Sequence, residues 1–119
     1  MIRQKTCNSM RDAEQRMKEL MALVDQRVEN GGGFIPFSKE EREIIAGLAE
    51  WAEGTRFYSA FMNDTRKSAD FVKALQAMTA EDLFMFALMK FNKLQAEGVG
   101  IAGVALIIPE LNKRLEEER

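Results

Sequence analysis

Glu40, Glu43, Glu50 and Glu53 are spaced by three, seven and three residues, so a helix through them carries all four along one side. Carboxylates paired at i and i+3 can hold Mg²⁺ and polarise a phosphoanhydride, the chemistry of nucleoside triphosphate hydrolysis. That reaction wants facing carboxylates from a second helix, and the following segment offers only Asp64 and Asp70, six residues apart. A solvated acidic face accounts for the four glutamates more simply. A Mg-dependent all-α nucleotide phosphohydrolase built on them is the first alternative function.

Other chemistries are limited by missing residue types. The chain has no histidine and one cysteine, Cys7. Ser-His-Asp and Cys-His catalysis, His-ligated metals, multi-Cys zinc sites and the Glu-x-x-His pairs of di-iron bundles are therefore excluded, as are intrachain disulfides. Ser59, Ser68 and the lysines show no spacing that builds a histidine-free triad. Gly31-Gly32-Gly33 is followed by Phe34-Ile35-Pro36-Phe37, not by the Gly-Lys-Ser/Thr of a phosphate-cradling loop. The expectation is of no catalytic residue, no cofactor and no metal.

Nucleic acid fits poorly too. With 17 Lys+Arg against 19 Asp+Glu the formal net charge is −2, and duplex affinity comes largely from neutralised phosphates. The basic residues Arg3, Lys5, Arg11, Arg16 and Lys18 alternate with Asp12, Glu14 and Glu19, a mixed solvated face. Helices meeting at Thr79 could suggest a helix-turn-helix, but Leu83 to Met89 offers no polar group to base edges. The opening residues lack the apolar core of a secretory signal. The longest apolar run, Val99 to Ile108, is about half of the roughly 20 residues a bilayer span requires. A reducing, cytoplasmic setting suits the single cysteine.

These residues must be held by helices. With 119 residues, 46% of them hydrophobic and 30% charged, the chain is sized for one core. The prediction is an all-α compact bundle of four to five helices, a single domain over residues 9–116 behind a flexible tail at 1–8. Its radius of gyration should be roughly 13–14 Å. The first helix runs from about Ser9 to Glu29, with Met10, Ala13, Met17, Leu20, Met21, Val24 and Val28 on a narrow seam. Asn30 and the glycine triplet stop it. Phe34 to Phe37 should plug one end of the core, and Ser38-Lys39-Glu40-Glu41 forms a capping box. Helix two then places Ile44, Ile45, Leu48, Trp51, Ala52 and Thr55 on one face, and either continues through Gly54 or breaks there. Asn63-Asp64-Thr65 caps a third helix to about Met78, and Thr79 caps a fourth to about Ala96. The last stripe, Ile101, Val104, Ile108, Leu111 and Leu115, crosses Pro109, as a helix kinked there or two helices meeting.

Helix four is apolar on two sides. Leu83, Phe84, Ala87, Leu88, Phe91 and Leu94 make one broad face, while Met85, Phe86 and Met89 lie opposite between Lys90 and Lys93. A helix apolar all round is either central or covered by another chain, and a chain this small has little protein to enclose one. If helix two runs through Gly54, Phe57 and Phe61 join Glu50 and Glu53 on a second sticky side, and if it breaks there both rings can turn into the core and that patch disappears. The leading expectation is a non-enzymatic interaction or regulatory protein, inhibitory toward another protein in one form, acting as a homo-oligomer and most simply a dimer. Met85, Phe86, Met89, Phe57 and Phe61 would be its anchors, with Lys90, Lys93, Glu50 and Glu53 as rim charges. A carrier or sensor with an apolar small-molecule pocket is the second alternative. Neither nucleic acid nor membrane is expected as a partner.

Overall fold

A computed structural model describes residues 7–95 and 100–117. Its described residues form seven α-helices and no strand. These are α1 (Met10–Glu29), α2 (Lys39–Glu53), α3 (Arg56–Asn63), α4 (Thr65–Gln76), α5 (Ala80–Gln95), α6 (Gly100–Val104) and α7 (Ile108–Glu117). The all-α prediction holds, but the count of four to five does not, and both extra helices come from breaks that periodicity does not see. The tail expected over residues 1–8 lies outside the described residues up to position 6; Cys7 packs against the core and the Asn8 N–H donates to Asp12 Oδ2 at 3.2 Å.

Local capping sets most boundaries. Ser9 Oγ accepts the Asp12 N–H at 3.1 Å and starts α1. At the other end the Gly32 N–H reaches the Arg27 carbonyl and the Gly31 N–H reaches that of Val28, the paired bonds of a Schellman turn. Gly31 takes φ +91°, a left-handed geometry that any side chain would strain. In the capping box that begins α2, Ser38 Oγ accepts the Glu41 N–H and Glu41 Oε1 accepts the Ser38 N–H.

The first break is at Gly54. Thr55 Oγ1 donates to the Ala52 carbonyl at 2.6 Å and accepts the Tyr58 N–H, closing α2 and capping α3 with one hydroxyl. Asp64 caps α4 by accepting the Lys67 N–H, as its position predicts. The second break makes the last stripe two helices, α6 and α7, in place of one helix kinked at Pro109. The chain turns at 105–107, and Pro109 sits in the first turn of α7, where its missing N–H leaves no bond unmade. Ile107 acts as the cap, its carbonyl accepting the Leu111 N–H at 3.2 Å.

The core joins Ala13, Met17, Leu20 and Val24 of α1 to Ile44, Ile45 and Leu48 of α2, Leu83, Phe84, Ala87 and Phe91 of α5, and the buried side of α6 and α7. The apolar connection does plug one end. Phe84 meets Phe37 and Phe34 edge-on, at centroid distances of 5.1 and 6.1 Å. Helix α5 packs on α6 and α7, and α2 packs on α1 and α7, so α7 bridges the two halves. The radius of gyration is 13.7 Å, within the range expected for a compact chain of this length.

One partly buried ion pair ties the first two helices together. Arg27 donates to the Glu41 carboxylate, to the Gly33 carbonyl at 2.9 Å and to the Phe34 carbonyl. Glu41 is thus shared by the capping box and a partner 14 residues away. A similar reach ends α4, where Arg114 of α7 donates to the carbonyl of Gln76, the last residue of the helix, and to that of Met78 just beyond it.

Candidate interaction surfaces

Helix α5 starts when Thr79 Oγ1 accepts the Asp82 N–H at 3.1 Å, and its two acids, Glu81 and Asp82, sit favourably in the first turn. From there Leu83, Phe84, Ala87 and Phe91 point into the core. The opposite side carries Met85 and Met89, 41% and 67% exposed and one turn apart. Phe86 is intermediate: half-buried and packed on the core, with Lys90 Nζ 5.6 Å from its ring centroid. Lys93 is exposed. Two flexible thioethers, a ring edge and two ammonium groups therefore share one surface, as the helical spacing predicts.

The second apolar side expected around helix two has a different form. Because α2 ends at Gly54, Phe61 belongs to α3 and is half-buried against Phe71 of α4, edge-on at 5.2 Å. It is an internal contact of the α3–α4 pair. The Phe57 side chain lies outside the described residues. Glu50 and Glu53 remain exposed at the end of α2.

Those two carboxylates border a groove of about 620 Å³ between α2, α3, α4 and α7. Its apolar lining includes Ala49, Met62, Val72, Leu75, Leu106 and Pro109. Its polar lining includes Tyr58, Glu50, Glu53, Glu110 and Glu116, with Lys113 as its basic residue. Burial raises the Tyr58 phenol above its ordinary pKa, and the nearby Glu53 and Glu110 carboxylates raise it further. Burial is the larger cause, and the two carboxylates add to it because four glutamates and one lysine line the groove. Sequence spacing pointed to Glu50 and Glu53 alone. Tyr58, Glu110 and Glu116 arrive from two other helices, and no local pattern announces them.

The four glutamates of helix two do not converge. Glu40 lies an α2 length away from Glu53, and among the described residues no group of three or more carboxylate or thiol side chains is arranged to hold a metal ion. Cys7 lines a separate hollow with Trp51 and Thr55. Burial raises its pKa, Arg16 lowers it in part, and Asp12 adds a smaller rise. A thiol kept protonated is a poor nucleophile. No helix among the described residues is long and apolar enough to cross a membrane.

Neither a known protein family, nor a curated protein, nor a solved structure matches this chain.

Proposed function

We propose that this chain works by binding protein without catalysing a reaction, and that its first partner is another copy of itself, bound through the outer side of α5. One observation carries the reading: Met89 is 67% exposed on a helix whose reverse side fills the core, with Met85 a turn away. An isolated exposed apolar residue means little, but two thioethers beside a half-buried ring form a contiguous, adaptable contact surface. Lys90 and Lys93 edge this surface and would set the register of the contact. Regulation of a further protein, by occupying or releasing this face, is the role such an assembly suits.

Sedimentation velocity at micromolar concentration tests the reading. The wild-type chain should sediment as an assembly, and Met89→Asp should stay folded and become monomeric. An aspartate at so exposed a position strains no packing in the isolated chain, whereas inside an interface it strands a charge. A wild-type protein that sediments only as a 13.5 kDa monomer overturns the proposal.

A further inference from the structure

We propose that the acidic groove between α2, α3, α4 and α7 is the receptor for the α5 face of a second copy, with Met85 and Met89 entering over its apolar floor and Lys90 and Lys93 pairing with its rim. This inference rests on the self-association proposed above and says which two surfaces meet.

Complementarity carries it. The groove border has four carboxylates, Glu50, Glu53, Glu110 and Glu116, against the single ammonium of Lys113. Among the described residues Glu50, Glu53 and Glu110 make no ion pair, so a basic occupant would meet carboxylates that no ammonium of this chain already neutralises. An occupant must therefore be apolar at its centre and basic at its edge. The chain displays that combination itself on α5, where exposed Met85 and Met89 share one side with Lys90 and Lys93 and Met89 lies within about a turn of both lysines. Pairing α5 with α5 would instead bring four ammonium groups together, a like-charge contact that works against association. The raised phenol of Tyr58 points the same way, since an arriving ammonium would relieve the field of Glu53 and Glu110. The contact joins two different surfaces. Made reciprocally it closes a two-fold pair, and made once per copy it propagates to a ring where the rotation closes and to an open filament where it does not.

Charge exchange tests the pairing. Glu50→Lys/Glu53→Lys reverses part of the groove border, and both changes are exposed and lie at the C-terminal end of a helix, where cations are favoured. Lys90→Glu/Lys93→Glu reverses the α5 face. Each variant alone should self-associate at least about tenfold more weakly than wild type. An equimolar mixture should reassemble, because each variant's face then meets the other's groove with opposite sign. Circular dichroism confirms folding, and if either reversal unfolds the chain, Glu50→Gln/Glu53→Gln should still weaken assembly severalfold. The inference fails, with the self-association reading intact, if Met89→Asp abolishes assembly while the groove variants assemble like wild type. It fails equally if two folded reversed variants do not combine. A monomeric wild type overturns both proposals.

Discussion

Replacing Arg27 by methionine isolates the energy of the junction between α1 and α2. The substitution keeps most of the aliphatic stem beside Gly32 and deletes the guanidinium. Glu41, 2% exposed, is left with the Ser38 N–H at 2.8 Å as its surviving donor. Removing one member of a buried pair costs about 3–5 kcal/mol, because the remaining charge is stranded. Arg27 is 24% exposed, so water can follow the lost guanidinium, which sets the expected loss near the lower bound, about 3 kcal/mol. Glu41→Gln should cost about 1–2 kcal/mol, since the amide oxygen keeps the capping bond and Arg27 keeps its two carbonyl acceptors. The double variant strands no charge and should be less damaging than the sum by about 1–2 kcal/mol. Urea unfolding followed by the fluorescence of Trp51, the only tryptophan, measures all four corners of the cycle. Additivity within about 0.5 kcal/mol would refute the argument, because the two side chains would then not share one buried site. So would a loss below about 1 kcal/mol for Arg27→Met, the range of a solvent-exposed pair.

Two further outcomes follow from other parts of the fold. Tyr58 is the only tyrosine, so an absorbance titration reads it alone, and it should ionise above the pH of free tyrosine. Its folded pKa exceeds the unfolded one, so its contribution to stability is complete below the ordinary tyrosine value and is lost as pH rises through the elevated one. Glu53→Gln should bring the ionisation part of the way down, burial being the larger cause; an ordinary wild-type titration would contradict the groove's electrostatics. Phe84→Ala should destabilise by about 3–5 kcal/mol in thermal or urea unfolding, since it removes a fully buried ring and both of its edge-on partners' contacts. A loss under about 1 kcal/mol would mean that Phe34 and Phe37 do not close the core.

What could be read in advance was whatever is decided within a few residues. Ser9, Ser38, Asp64 and Thr79 cap helices where their types and neighbours predict, and Gly31 to Gly33 end α1 because a left-handed turn is needed there. The burial of Leu83, Phe84 and Ala87 and the exposure of Met85 and Met89 follow the helical period. The breaks were harder. Ile101, Val104, Ile108 and Leu111 keep helical intervals and are all buried, so their spacing is silent about the turn at 105–107 between them. At Gly54 the spacing allowed continuation and breakage alike, and the hydroxyl of Thr55 decides it. Contacts between distant residues left no trace at all. Arg27 finds Glu41, Arg114 finds the end of α4, and Tyr58 and Glu110 come to line one groove because separate helices dock. The groove belongs to this class, and only its Glu50 and Glu53 border was visible beforehand.

Helix α7 supplies the groove's fourth wall and, through Arg114, closes the end of α4. In the order of translation that wall is made after α2, α3, α4 and α5. A chain cut before α7 therefore loses one wall of the groove and both Arg114 bonds at the end of α4 in a single step.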